Sequence, residues 1–422
     1  MPLSHTPTVQ VSAAATAARA PRHWLRAGWL MTASGWSANQ YSSLLGAYRA
    51  HLGLTAATTT ALFAIYVVGL IPGLLVGGPL ADRHGRRRVA LTALGISALA
   101  TCLLMAGPAA PALLWPGRFL TGVGAGTLLT AGSVWIKELS TPPYGTAPSP
   151  GAAARRSGLF LSAGFATGGL AASLIAQWAP HPMVLAYVPH LVLVAAAALS
   201  AGRAPETAPP RTPDPTVPAH HTPALPTHRT PALPTHRTQF RRLVVPVAPW
   251  VFAAPAIAFA VLPGLVDTRL HGWQTVYAGI ITAVTPGAGL LVAPLARRLS
   301  ARHRLATAAT GLLVAAVGLL VGALAVAHAQ PAVALLAAAL LGVGYGLCVA
   351  YGLTEVAALA PPHHLARLTA RFWAVCYLGF CTPYVVTVLG GAFAPSTILI
   401  GLAVVALLTL AALLRPGVRS SV

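Results

Sequence analysis

Residues 77–91 read GGPLADRHGRRRVAL, and they follow directly on the largely apolar stretch 57–76. Only six acidic residues occur among the 422 of the chain, and one of them, Asp82, lies at this point. Basic residues crowd behind it, namely Arg83, Arg86, Arg87 and Arg88. Arginines at the end of an apolar stretch of membrane-spanning length are typical of a cytoplasmic membrane boundary. This interpretation accounts for the arginines but leaves the aspartate unexplained.

The composition indicates an integral membrane protein. Hydrophobic residues make up 56% of the chain, charged residues 8%, and the mean hydropathy is +0.71. Soluble domains carry roughly 25% charged residues, about three times as many. The net charge of +21 does not indicate a nucleic-acid partner, because the arginines are spread between apolar stretches and form no dense basic arm. The four cysteines lie inside apolar stretches without metal-ligand spacing, so we expect no metal site.

The apolar stretches predict an all-α membrane protein with twelve transmembrane helices. We place them at 27–47, 57–81, 88–109, 112–136, 157–178, 183–202, 243–266, 275–296, 304–328, 331–358, 369–391 and 396–414. With both termini in the cytoplasm, all lysine and arginine residues except Arg49, Arg118 and Arg269 fall on the cytoplasmic side. This bias follows the positive-inside rule, so we expect a multi-pass protein of the cytoplasmic membrane.

The same pattern predicts the domain organisation. We expect a disordered cytoplasmic N-terminus at 1–26, a first six-helix half at 27–202, a linker at 203–242, a second half at 243–414 and a cytoplasmic tail at 415–422. The linker contains the tandem repeat TPALPTHR, at 222–229 and 230–237, among many prolines. Such a segment cannot bury a core, so we predict that it is disordered or polyproline-like.

Two internal repeats relate the halves. GVGAGTLLTAG at 122–132 recurs as GVGYGLCVAYG at 342–352, and PLADR at 79–83 recurs as PLARR at 294–298. Both repeats map each helix onto the sixth helix after it, in the same orientation. A parallel repeat of this kind predicts a transporter whose substrate site lies near the membrane midplane, between the halves.

Three stretches resemble signatures of the major facilitator superfamily. Residues 78–88 closely resemble its signature between helices 2 and 3, and residues 118–126 resemble its helix-4 signature. The stretch GFATGG at 164–169 is similar to the antiporter signature of helix 5, although Gly169 replaces the proline and Ala172-Ser173 replaces a glycine pair. The resemblance implies alternating-access transport of a small organic solute, with proton-coupled efflux of a drug or secondary metabolite as the first expectation. Uptake of a sugar or another small metabolite is the alternative.

The resemblance also implies a cytoplasmic gate at which Asp82 and Arg86 help to close the protein. A carboxylate at a helix end can accept backbone N–H groups from a neighbouring helix, and an arginine can pair with Glu138. The internal repeat places Glu355 one turn from the equivalent of Glu138, so we expect a second latch with Arg298, or alternatively a proton-carrying acid. The predicted gate residues are Gly78, Asp82, Arg83, Gly85, Arg86, Glu138, Arg298 and Glu355.

Polar residues in the first span predict the cavity, because polar side chains in a membrane span usually face a cavity or another helix. The predicted cavity-lining residues are Thr32, Trp36, Asn39, Gln40, Tyr41, Ser43, Trp250, Tyr345 and Tyr351. Arg118 is the basic residue inside a span, and it either reaches back to the membrane surface or faces inward as a coupling or substrate-binding charge. We expect no cofactor beyond a proton gradient, a monomer in the bilayer, and no enzymatic activity, because no cluster of acids and histidines is present.

Overall fold

The protein is described by a computed structural model that covers residues 22–145, 152–207, 238–359 and 365–415. Within these ranges every regular element is a helix, and there is no strand. Most of the predicted N-terminal segment 1–26, the TPALPTHR repeat and nearly all of the tail 415–422 lie outside the described residues. The coarse prediction of an all-helical membrane protein is confirmed.

The helices before residue 208 form the first helix group. They are α1 (His23–Ser43), α2 (Leu45–Leu52), α3 (Ala56–His84), α4 (Arg86–Met105), α5 (Leu114–Leu139), α6 (Ala152–Trp178), α7 (Pro182–Leu185) and α8 (Val188–Gly202). Gly53 ends α2 with a positive φ of 65°, and the Thr55 side chain accepts a 3.1 Å hydrogen bond from the Thr58 backbone N–H at the start of α3. A left-handed glycine and a threonine N-cap are the usual signals for such a junction.

The helices after residue 237 form the second helix group. They are α9 (Trp250–Ala260), α10 (Leu262–Leu265), α11 (Gln274–Leu291), α12 (Ala293–Arg302), α13 (Ala306–Ala327), α14 (Pro331–Leu359), α15 (Leu365–Tyr377), α16 (Thr382–Leu389) and α17 (Pro395–Leu413). A π-helical turn at Phe240–Val244 precedes α9, and a 3₁₀ turn at Leu378–Cys381 joins α15 to α16.

Ten helical stretches of the described chain are long and apolar enough to cross a membrane. The first and seventh predicted spans are not among them, for different reasons. The helix at 23–43 carries the polar stretch SGWSANQYSS, and the span predicted at 243–266 is divided into short segments. Pro246, Pro249 and Pro255 fall in that divided region, where each removes a backbone N–H donor and disfavours a continuous helix.

Glycines allow the helices of the first group to pack with their backbones in contact. A Cβ atom on Gly122 of α5 would lie 2.0 Å from the Tyr66 carbonyl oxygen of α3, and one on Gly164 of α6 would lie 2.1 Å from the Thr32 carbonyl oxygen of α1. Neither position therefore accepts a side chain without moving a helix. Small residues at such crossings are the usual way to bring membrane helices together.

The two groups meet mainly where α6 packs on α11 and where α3 packs on α16. Near one end of this contact, Gln177 Nε2 donates a 2.7 Å hydrogen bond to the Gly272 carbonyl oxygen, and the rings of Trp178 and Trp273 lie 5.8 Å apart. The other end of the molecule carries the arginines of 83–88 and 297–304, and we call it the basic end. We call the end with Gln177 and Trp178 the opposite end.

Candidate functional site

Arg118 lies one turn into α5 and is fully buried, with 0% of its surface exposed. Its Nε donates a 3.2 Å hydrogen bond to the Leu62 carbonyl oxygen. The guanidinium carbon lies 4.4 Å from the ring centroid of Tyr41 and 5.0 Å from that of Tyr66, so the cation is held between two aromatic faces. Both terminal nitrogens, Nη1 and Nη2, have no hydrogen-bond partner among the described residues. Arg118 therefore faces inward and does not reach the surface of the described chain.

Arg118 lines a cavity between the two helix groups. The other lining residues are Ala38, Asn39, Phe63, Tyr66, Phe165, Phe252, Pro255, Phe259, Pro286, Tyr345 and Phe380. The free volume is about 30 Å³, which holds a water molecule but not an organic solute. Most of the lining is aromatic or apolar, and none of these residues is acidic.

Three of the residues in the first span that were predicted to line the cavity, Thr32, Trp36 and Asn39, pack against α6. Thr32 Oγ1 donates to the Phe160 carbonyl oxygen (3.1 Å), and Asn39 Nδ2 donates to the Phe165 carbonyl oxygen (2.8 Å). Trp36 packs against Gly168 of α6, where a Cβ atom would lie 2.7 Å from the Trp36 Cα. The glycines of α6 let that helix pack closely against this face of α1. Of these three residues, only Asn39 also lines the cavity.

The remaining predicted cavity residues divide into three cases. Tyr345 lines the cavity, and Tyr41 lies behind it against Arg118. Ser43, Trp250 and Tyr351 do not line the cavity, and each makes a local or interhelical hydrogen bond. Gln40 is fully buried, and neither atom of its amide has a hydrogen-bond partner among the described residues.

Sequence reasoning missed the phenylalanines of the cavity. Phe63 and Phe380 bring the two groups together with ring centroids 5.3 Å apart, and Phe252 stacks on Tyr377 at 4.5 Å and on Phe380 at 4.7 Å. An isolated phenylalanine in an apolar span gives no signal that separates cavity lining from ordinary packing. Only the fold shows that these rings, from α3, α9 and the turn before α16, converge.

At the basic end, Arg86 joins two carboxylates of the first group. Its Nη1 lies 2.5 Å from Asp82 Oδ1, four residues earlier, and its Nη2 lies 3.3 Å from Glu138 Oε1 at the end of α5. The Asp82 side chain is 63% exposed, so this ion pair is strongly screened by solvent. Arg83 is exposed at the surface.

The carboxylate that accepts backbone N–H groups at the start of α4 is Glu206, and the prediction that Asp82 does so is wrong. Glu206 Oε1 accepts from the Arg86 N–H (2.8 Å), and Oε2 accepts from the Arg87 N–H (3.1 Å). Gly85, just before this helix start, has a φ of +96°, and a Cβ on it would lie 2.6 Å from Glu206 Oε2. At Gly78, nothing lies within 4 Å of the position that a Cβ would take. Of these two predicted gate glycines, only Gly85 is required by its surroundings.

Residues 203–207, which we call the strap, continue from α8 and lie across the basic end. The Pro205 carbonyl oxygen accepts from Trp135 Nε1 (3.1 Å), the Glu206 carbonyl oxygen accepts from the Tyr144 hydroxyl (3.2 Å), and Thr207 Oγ1 donates to Glu138. The expectation that disorder begins at residue 203 is therefore wrong for the strap. The feature of the sequence that could have indicated the strap is Glu206, an acidic residue between prolines in a chain that has few acids.

In the second group Glu355 pairs with Arg304, and not with Arg298 as predicted. Arg304 Nε lies 2.9 Å from each Glu355 carboxylate oxygen, and Nη2 lies 2.7 Å from Oε2. The Glu355 side chain is 2% exposed, and its hydrogen bonds raise the pKa of the Arg304 guanidinium above its ordinary value. Arg298 points outward, because Ala296 occupies the buried face of α12.

The chain matches the sequence profile described as Major Facilitator Superfamily over residues 27–382. The chain belongs to the major facilitator superfamily. Two curated members are similar over short stretches: the 3-(3-hydroxy-phenyl)propionate transporter of Escherichia coli (strain K12), 38% identical over 92 residues, and the citrate-proton symporter of Salmonella typhi, 37% identical over 90 residues. These stretches are 21% and 19% of this chain, and 22% and 21% of the respective relatives. The match thus spans about a fifth of each relative's length.

Solved structures of other transporters share the fold. A peptide transporter POT in complex with sulfate is 16% identical with a TM-score of 0.71, and the alignment covers 93% of this chain and 94% of that one. The nucleoside transporter NupG is 11% identical with a TM-score of 0.66, over 93% of this chain and 98% of that one. At these identities the similarity concerns the fold alone.

In this superfamily member the charges are separated by position. Of the acids in the described chain, Asp82, Glu138, Glu206 and Glu355 lie at the basic end, and Asp267 lies in a 3₁₀ turn at the opposite end. The charge at the cavity is the positive one of Arg118. The described residues contain no group of three histidines, cysteines or acids that could hold a metal ion.

Proposed function

We propose that the chain is a secondary active transporter that moves a small organic solute across the cytoplasmic membrane by alternating access. In this proposal twelve spans form two six-helix halves, the halves are related by the internal repeat, and both termini lie in the cytoplasm. The observation that carries the proposal is the cavity at Arg118, which is lined by residues of both helix groups. A site shared between two rigid groups can change its exposure when the groups rock against each other.

The distribution of contacts supports this mechanism. The ring contact of Trp178 with Trp273 joins the groups at the opposite end, whereas the ion pairs of Arg86 and Arg304 each lie within one group. Contacts between groups are the ones that must break when that end opens. Contacts within a group persist and keep each end rigid, which is the role we assign to the predicted gate residues around Arg86 and Glu355.

Efflux in exchange for protons is our proposal for the direction, and it is supported by the helix-5 stretch GFATGG at 164–169. Uptake is the second candidate, and it is favoured by the similarity to a citrate-proton symporter. Since none of the described residues that line the cavity is acidic, proton coupling is supported by the family resemblance and by the buried charge of Arg118 rather than by a carboxylate near the solute.

Flux through the purified protein tests the proposal. The protein is reconstituted into liposomes, and the movement of a panel of labelled organic acids, amines, amides and sugars is followed with an imposed pH gradient of either sign and with a proton uncoupler. We expect saturable flux of at least one solute, driven by the gradient and abolished by the uncoupler. A solute that accumulates in the direction opposite to the proton flow is exchanged for protons. A solute that accumulates in the same direction as the proton flow is carried by symport. Protein-independent flux for every solute would refute the proposal.

A further inference from the structure

The terminal nitrogens of Arg118 are the unusual feature of the cavity. The side chain is fully buried, its Nε is bonded, and Nη1 and Nη2 have no partner among the described residues. A buried ion without compensating hydrogen bonds or an opposite charge is strongly unfavourable. The two aromatic faces of Tyr41 and Tyr66 offset part of this cost, but they accept no hydrogen bond in the guanidinium plane.

The described residues around Arg118 offer no anion to complete the pair. None of the residues lining the cavity is acidic, and the acids of the described residues lie at the two ends of the bundle. Three of the nearby phenols are engaged elsewhere: the Tyr48 and Tyr187 hydroxyls bond each other at 2.7 Å, and the Tyr41 hydroxyl donates to the Thr59 carbonyl oxygen. The guanidinium fork is thus fixed in place with two donors available.

The remainder of the lining is suited to an apolar or aromatic body. Phe63, Phe252, Phe259 and Phe380 come from both helix groups and surround the space beside Arg118. Asn39 and the Tyr345 phenol add few polar groups, and the Asn39 amide already donates to α6. A sugar would lose most of its hydrogen bonds here, and an amine would meet a like charge.

We propose that Arg118 binds the carboxylate of the transported solute, and that the solute is a small aromatic or otherwise apolar monocarboxylate. The proposal rests on the transport function proposed above. A guanidinium with two available donors matches the two oxygens of one carboxylate, and this geometry is specific to arginine. One carboxylate neutralises the single charge, whereas a second would be buried without a partner.

The cavity must enlarge before such a solute fits, because its free volume is about 30 Å³. Rocking of the two groups provides this, since Phe63 and Arg118 belong to the first group, and Phe252 and Phe380 belong to the second. Separation of the two groups moves the rings of the second group away from Arg118. The solute then takes the place of ring contacts that link the groups.

Direct binding to the purified full-length protein tests the proposal independently of transport. The probes are phenylacetate, its neutral isostere phenylacetamide, the cation 2-phenylethylamine, and acetate as the carboxylate without a ring, each measured by calorimetry in detergent or nanodiscs. We expect phenylacetate to bind about 10- to 100-fold more tightly than phenylacetamide, the ratio that charged hydrogen bonds supply. Acetate and the amine are expected to bind more weakly still.

The variant Arg118→Gln should abolish the preference of phenylacetate over phenylacetamide, and Arg118→Lys should retain only part of it. Removing an unpartnered buried charge should also leave the empty Arg118→Gln protein at least as heat-stable as the original, so its folding can be verified. Arg269→Gln, which changes an exposed arginine at the opposite end, is the matched control and should leave the preference unchanged.

Equal binding of phenylacetate and phenylacetamide, an unchanged preference in Arg118→Gln, or no binding of phenylacetate would each overturn the proposal. The transport function is judged separately. If carboxylates bind through Arg118 but no solute crosses the liposome membrane, the binding inference stands and the transport function fails. If other solutes are transported and carboxylates do not bind, the transport function stands and the inference fails.

Discussion

Gly85 shows how closely one residue can be constrained at the basic end. Its φ of +96° favours glycine, and a Cβ atom would lie 2.6 Å from Glu206 Oε2. We predict that Gly85→Ala lowers the free energy of unfolding by about 1–3 kcal/mol, the usual cost of holding a side chain in such a backbone conformation. Thermal unfolding of the purified variant measures this.

Gly78 provides the matched control for that prediction. It lies in the same sequence signature, inside the helix α3 that ends just before Gly85, but nothing lies within 4 Å of the position its Cβ would take. We expect Gly78→Ala to leave the melting temperature nearly unchanged. Equal destabilisation by the two substitutions would show that the surroundings of Gly85 do not determine its requirement for glycine.

A second residue-scale prediction concerns the partner of Glu355. In a double-mutant cycle, Glu355→Gln and Arg304→Gln should show a coupling of about 1–3 kcal/mol in the free energy of unfolding, because each change leaves the other group unpaired. Glu355→Gln and Arg298→Gln should be additive within about 0.5 kcal/mol. Chemical unfolding in detergent measures both cycles. Stronger coupling to Arg298 would contradict the observed pairing.

The sequence predicts which charged residues belong to the site better than it predicts which of them pair with each other. Glu138 is expected beside Arg86 because both flank the same predicted membrane boundary, and the structure places them 3.3 Å apart. The choice of Arg304 over Arg298 depends on how α12 rotates and where the turn before α13 lies. Such rotations follow from tertiary packing, which residue spacing alone does not determine.

At the scale of elements, the start of α4 depends on the strap. Glu206 accepts the first backbone N–H groups of that helix, which have no partner within the helix itself. We predict that Glu206→Ala raises hydrogen exchange at the Arg86 and Arg87 amides by about 5- to 30-fold, equivalent to the 1–2 kcal/mol typical of a lost helix cap. Exchange followed by mass spectrometry on peptides from 84–95 measures this.

Asp82→Asn is the control for the strap, because Asp82 pairs with the Arg86 side chain rather than with a backbone amide. It should leave exchange at the start of α4 close to that of the original protein. If Asp82→Asn deprotects these amides as much as Glu206→Ala does, the helix start is not capped by Glu206 in solution.

Elements with a clear apolar signal are predicted closely, and elements with a mixed signal are not. The helix predicted at 331–358 spans Pro331–Leu359, and its length follows from an uninterrupted apolar run. The span predicted at 243–266 is broken, in keeping with the irregularity that its prolines indicate. The strap is missed because a proline-rich composition extends to residues that contact the bundle. Composition describes a whole segment, whereas the packing of the strap on the helix bundle depends on a few contacts.

At the scale of the whole molecule, alternating access requires the opposite end to open. We predict that Trp178→Cys combined with Trp273→Cys, joined by a short bifunctional thiol reagent, blocks transport, because the pair links the two helix groups. Reductive cleavage of a disulfide-containing linker should restore transport. Flux in liposomes measures both steps, and each single variant treated with the reagent is the control for the native cysteines.

Full transport by the crosslinked double variant would exclude movement at this end and would contradict the proposed mechanism.

The internal repeat points to two halves and a site between them, because a repeated sequence predicts a repeated substructure. The repeat cannot predict which rings line the site. Phe63, Phe252 and Phe380 meet only because α3, α9 and the turn before α16 converge in the assembled bundle.

The contact of Trp178 with Trp273 also makes the protein its own optical reporter. Two indoles 5.8 Å apart at an interplanar angle of 79° are close enough for their excited states to couple, and the side chains are 63% and 56% exposed. Separation of the helix groups at this end would end that coupling and change the environment of both rings. Near-ultraviolet circular dichroism and intrinsic fluorescence should therefore follow the conformational cycle without any attached dye.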